Sequence, residues 1–150
     1  MLPVLENFIF EGIPAVDNPN LQLTKINVGD GEMLSYKLNN IEIHSDELYN
    51  INVTANRYLR RLDLNGCTTL GTVTATGSVL DVSNCKYLSY LNIDNTALTG
   101  VLLNTSGGSL KEIYYPKTIQ EVKLIKQTLL EKVGLPYGTN GEDIPTSLYT

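Results

Sequence analysis

A chain of 150 residues is enough for one domain and short for two ordinary ones. Its composition, 42% hydrophobic and 18% charged, is that of a globular chain able to bury a core and not of a disordered one. The formal net charge of −5, with no basic stripe, argues against nucleic acid or an anionic membrane as partner.

No apolar run is long enough to span a membrane. The N-terminal "MLPVLENFIFEG" lacks the basic start and long apolar stretch of a signal peptide. Residues 1–40 are irregular in spacing. "FIF" and "INVGDGEML" read as degenerate coils, and the whole segment as an N-terminal cap to a single domain spanning 1–150. From Ile41 a regular pattern takes over. Apolar-x-apolar triplets begin at Ile41, Leu62, Leu80, Val101 and Val122, with steps of 21, 18, 21 and 21 residues. "LQL" at Leu21 stands one similar step earlier. A second series lies between them, at Ile51, Val73, Leu91 and Ile113, with steps of 22, 18 and 22. The short step falls at the same place in both, as a single three-residue deletion near "TATGSV" would produce.

Both series share a grammar. Each triplet reads as a short strand with two side chains inward and one outward. Three residues on comes a small or polar residue: Asp46, Cys67, Cys85, Ser106 and Gln127 in one series, Asn56, Ser78, Thr96 and Thr118 in the other. An apolar residue such as Leu48, Leu59, Leu70, Leu88, Leu98 or Leu110 then turns back to the core. One coil cannot bury its own apolar side, whereas stacked coils can. The expectation is a mainly β solenoid of about five or six short coils. Its regular part is 41–117, and its core includes Leu62, Leu64, Cys67, Leu70, Leu80, Val82, Cys85, Leu88, Leu91 and Ile93.

The stretch 118–136 has two readings. Its register, with Val122 placed 21 residues after Val101, predicts a strand. Its local chemistry predicts a capping helix over 118–134. Thr118 and Glu121 form a capping box, Gly134 and Pro136 form a stop, and Ile119, Val122, Ile125, Leu129, Leu130 and Val133 share one helical face. Residues 137–150 are turn-rich and aperiodic, and read as a tail.

"YLRRLDLNGCTTL" and "YLSYLNIDNTAL" match the pattern L-x-x-L-x-L-x-x-N/C-x-x-L, so the chain resembles the leucine-rich repeats. The period is similar to that of the bacterial, internalin-like kind. "LDVSNCKYLSYLNIDNTALTG" is similar to repeats in surface proteins of gut bacteria and in tail or fibre proteins of their phages. The resemblance covers about Ile41 to Leu110 and implies a right-handed solenoid. It specifies architecture and is nearly silent on ligand.

Candidate functional residues follow from the outward positions. Glu42, Asp63 and Asp81 occupy the same outward slot in three successive coils of the first series. Stacked carboxylates repel unless neutralised, by calcium or by solvent and the nearby Arg57, Arg60 and Arg61. Asn52, Thr74, Asn92 and Tyr114 form a neutral hydrogen-bonding column in the second series, either simply solvated or a binding face for protein or glycan. Tyr58 and Tyr87 hold matching corners with Tyr90 near them. Tyrosines in such places serve recognition or pack along coil edges. Cys67 and Cys85 share one inward slot, which favours two buried thiols over a disulfide, a metal site or a nucleophile. His44, the sole histidine, has no sequence-suggested nucleophile beside it and reads as a surface residue.

These features predict a non-enzymatic module for protein interaction or assembly, with no catalytic residues, no cofactor other than the calcium alternative, and a protein partner. The resemblance implies a phage virion component, or alternatively a cell-surface adhesin binding protein or glycan. A glycan-active enzyme using Asp63 and Asp81 is the remote alternative.

Overall fold

A computed structural model describes residues 7–11, 25–27, 38–54, 56–72, 78–122, 124 and 126–134. Eleven short strands run through them: β1 (Asn7–Glu11), β2 (Lys25–Asn27), β3 (Asn40–His44), β4 (Asn50–Asn52), β5 (Arg61–Asp63), β6 (Val79–Asp81), β7 (Tyr90–Asn92), β8 (Gly100–Leu102), β9 (Glu112–Tyr114), β10 (Glu121–Val122) and β11 (Lys132–Gly134). The protein is mainly β, with no helix among the described residues.

The chain alternates between two sides. Odd strands pair in parallel as one six-stranded sheet in the order β1-β3-β5-β7-β9-β11. Even strands form two shorter parallel groups, β2-β4 and β6-β8-β10. Parallel neighbours need a long return path, and here each return carries a strand of the other side. Apolar residues of both sides enter one core. Ile41, Leu62, Leu91 and Ile113 come from the odd strands, Leu80, Val101 and Val122 from the even ones, and Leu59, Leu88 and Leu110 from the corners. All ten residues expected inside are buried.

The strands end for a repeated local reason. Asn52, Asp63, Asp81 and Asn92 each turn a side-chain oxygen onto the backbone N–H two residues on, at 3.1, 3.2, 2.9 and 3.1 Å. This Asx turn offers the backbone a bond that a continued ladder would have supplied, so the strand stops. Successive rungs are then locked by a second device. The carbonyl of the residue before one odd strand accepts two N–H groups from the next. Asn39 takes those of Arg60 and Arg61, Arg60 those of Ser89 and Tyr90, Ser89 those of Lys111 and Glu112, and Lys111 those of Glu131 and Lys132.

The pairing corrects the expected series. Leu62 lies between Ile41 and Leu91, not between Ile41 and Leu80. Leu91 pairs with Ile113, which pairs with Val133, while Leu80 pairs with Val101 and Val101 with Val122. The two series therefore exchange sides after Leu62. From Ile41 to Leu62 is 21 residues, whereas from Leu62 to its true partner Leu91 is 29. The irregular step is an insertion of about eight residues between paired odd strands, not a deletion of three. Its place is visible in the backbone. Leu70 O accepts from Ala97 N at 2.8 Å and Ser78 O from Thr99 N at 2.8 Å, so acceptors eight positions apart on this segment meet donors only two apart on its neighbour. The departure at Gly71 needs glycine. Its φ is +98°, and a Cβ there would come within 2.7 Å of the Ala97 backbone.

Two further corrections concern the flanks and the cysteines. The capping-helix reading of 118–134 gives way to β10 and β11, because Val122 and Val133 each complete a column already begun by Val101 and Ile113. "FIF" belongs to β1, which pairs with β3, and the start of "INVGDGEML" belongs to β2, which pairs with β4. Cys67 and Cys85 are both free and buried, but they follow strands of different sheets. Each Sγ reaches a carbonyl of the preceding circuit on its own side, Ile43 O at 3.2 Å and Val53 O at 3.7 Å. They are thus equivalent points of two half-circuits rather than stacked neighbours.

Candidate interaction face

The outward surface of the six-stranded sheet gathers polar and aromatic side chains in two columns. In one, Asn40, Arg61, Tyr90, Glu112 and Lys132 are in register. In the other, two residues along, stand Glu42, Asp63, Asn92, Tyr114 and Gly134. The expected carboxylate column and the expected neutral column therefore merge into one. Asp81 is absent from it and lies on the even side beside Leu102. Asn52 is also on the even side, in register with Asn27, and Thr74 lies outside the described residues.

Arg61 is the centre of the face. Its Nη2 donates to Asp63 Oδ2 at 2.7 Å, and its Nε lies 3.9 Å from Glu42 Oε2. Its guanidinium sits 3.8 Å from the centroid of the Tyr90 ring. One cation thus neutralises two adjacent carboxylates and packs on an aromatic face, a combination that suits the planar guanidinium better than an ammonium. Asp63 is 5% exposed and has both oxygens engaged, Oδ1 by the Asn65 N–H and Oδ2 by Arg61 and the Tyr90 hydroxyl at 3.4 Å. The stack of three carboxylates expected as a calcium site does not form. Two of them share Arg61, and the third is on another sheet with its Oδ1 held by the Ser83 N–H and hydroxyl. Among the described residues no group of three His, Cys, Asp or Glu is placed to hold a metal.

The aromatic part continues from Tyr90 to Tyr114, whose rings are 5.8 Å apart and inclined at 46°. Asn92 Nδ2 donates to the Tyr90 hydroxyl at 3.4 Å. The Tyr114 hydroxyl donates to Glu112 Oε2 at 3.0 Å, which pushes its pKa up because the bond stabilises the protonated phenol. Lys132 lies 3.4 Å from Glu112 Oε1. Gly134 is required beneath this ring. A Cβ there would fall inside the contact distance of Tyr114 Cδ1, so a side chain would displace the tyrosine. At the opposite end His44 Nδ1 donates to Asn65 O at 2.8 Å, and its Nε2 is 3.3 Å from Glu42 Oε1. The imidazole is half-buried and tied to the rim of the face.

Tyr58 and Tyr87 stand at the corner that leads into this sheet, their rings 5.5 Å apart and 3° from parallel. The two thiols are chemically quiet. Burial pushes Cys67 to about 11 and Cys85 to about 12, so neither supplies a thiolate at neutral pH.

Sequence reasoning named Tyr90 as a corner tyrosine and Arg61 as a nearby cation, but did not see that they form one column with Glu112 and Lys132. It treated only the middle residue of each apolar-x-apolar triplet as outward, but the odd strands begin one residue earlier, at Arg61, Tyr90, Glu112 and Lys132. The two-residue alternation of a strand, carried one step back, would have found all four. No family model, no curated protein and no solved structure matches the chain. Among the described residues no helix is long and apolar enough to cross a membrane.

Proposed function

We propose that the alternating strands form a right-handed solenoid of the leucine-rich-repeat type, and that the chain is a non-enzymatic module for protein interaction or assembly. The observation that carries this reading is the preorganised odd-strand face, where Arg61, Asp63, Tyr90, Asn92 and Tyr114 hold one another through bonds and ring contacts. Rigid aromatic and guanidinium groups supply much contact area and lose little rotamer freedom on binding, which is why they dominate protein interfaces. The repeats' likeness to phage tail and fibre proteins supports a virion setting, in which the partners are other structural proteins.

The test is a binding measurement by biolayer interferometry. The immobilised chain is presented with purified products of the genes beside its own and, separately, with a glycan panel. The expected result is saturable binding to at least one neighbouring gene product, weakened at least about tenfold in the Tyr90→Ala/Tyr114→Ala variant at a temperature where that variant's cooperative unfolding shows it still folded. Binding to glycans alone, or turnover of any glycan, would overturn it.

A further inference from the structure

The corner before β5 and β7 carries a second surface, separate from the face above. The chain is acidic overall and its basic residues look scattered in sequence. The pairing of β5 with β7 nevertheless lays "RYLR" (57–60) directly beside "KYLS" (86–89). The Arg60 carbonyl accepts from Ser89 N at 2.8 Å, Tyr90 N at 3.1 Å and Ser89 Oγ at 3.0 Å, which fixes one segment on the other. Leu59 and Leu88 are buried beneath it. What stays outside is Arg57, Tyr58, Arg60, Lys86 and Tyr87, all exposed, the two tyrosines at 42% and 46%.

Ion pairs among the described carboxylates involve Arg61, His44, Lys111 and Lys132, and none of them reaches Arg60 or Lys86. The ridge is therefore locally positive on a molecule whose net charge is −5. The stacked rings of Tyr58 and Tyr87 turn one face of each on the other, which stiffens the ridge. Tyr87 stays largely exposed, and an aromatic edge carries partial positive charge. Cations, positive ring edges and hydroxyl donors on a rigid base are complementary to carboxylates. The acidic field of the whole chain opposes a long polyanion such as nucleic acid, whereas a short acidic segment meets mainly the ridge.

We infer that the Arg57–Arg60 and Lys86–Tyr87 corner docks an acidic polypeptide segment of a partner protein, independently of the odd-strand face. The probe is a fluorescein-labelled octaglutamate peptide followed by anisotropy, with an octalysine peptide, a sulfated oligosaccharide and a single-stranded oligonucleotide beside it. Octaglutamate is expected to bind saturably at about 20 mM salt and to weaken at least about tenfold at about 200 mM. Arg60→Gln/Lys86→Gln lowers affinity about tenfold at unchanged melting temperature, and Tyr87→Ala lowers it severalfold. Lys117→Glu, a control elsewhere on the surface, and Tyr90→Ala/Tyr114→Ala leave it unaltered. That last result separates failure of this inference from failure of the odd-face reading. Three results would each overturn the inference: no saturation, equal loss in the Lys117 control, or tighter binding of the oligosaccharide or oligonucleotide than of the peptide.

Discussion

The two sides of the molecule are built from the same half-repeat and have come to differ. The odd side is a sheet of six strands without interruption, and its outward residues form a connected network of charge and rings. The even side is divided into groups of two and three strands, and its outward positions include Val79, Gly100 and Leu102, with the two apolar side chains largely exposed. The core requires inward apolar residues of both sides, so the inward grammar is shared. Nothing in packing requires the outward residues of the two sides to match, and there they diverge. The outward chemistry of one side can therefore change without cost to the core.

Core substitution should have the largest effect and should not distinguish the sides. Leu91→Ala on the odd side and Leu80→Ala on the even side should each lose about 2–5 kcal/mol by urea unfolding, since both are buried. A loss confined to one side would break the picture of a common core. Gly71→Ala should follow, at about 1–3 kcal/mol, because the left-handed backbone and the Ala97 contact both oppose a side chain. Arg61→Ala should lose about 1–2 kcal/mol by leaving buried Asp63 without its cation, and Asp63→Asn in that background should recover part of it. A neutral result would mean that the network is decorative.

The thiols compare the two sides by pH, one cysteine following a strand of each. Folding holds both protonated, so this contribution is fully present below about pH 9 and falls as the pH rises toward 11 and 12, because the unfolded chain ionises first. Alkylation of native protein at pH 8 should be far slower than in denaturant at both positions. A thiol on either side that reacts freely in the native state would contradict its burial. Smallest of all, Leu102→Thr on the even outward face should change stability by no more than about 0.5 kcal/mol.

Most of the strands were legible from the triplets, because a short buried strand writes its alternation locally. Which side a triplet belongs to was not. Both sides use the same grammar, and an 18-residue step equals either a whole circuit less three or a half-circuit plus eight. Only pairing separates the two, since Leu62 faces Leu91 and not Leu80. The carboxylate column failed for that reason, whereas the stacked Tyr58 and Tyr87 were visible because corners repeat in both arithmetics. The helix signal from Thr118 to Gly134 is genuine chemistry overruled by place. Val122 and Val133 meet columns already formed, and local propensity is weak against that.

Leu70 and Ser78, eight positions apart, bond Ala97 and Thr99, two apart, while Arg61 and Tyr90 stay in register. Chain length at that point is uncoupled from the register of the odd strands.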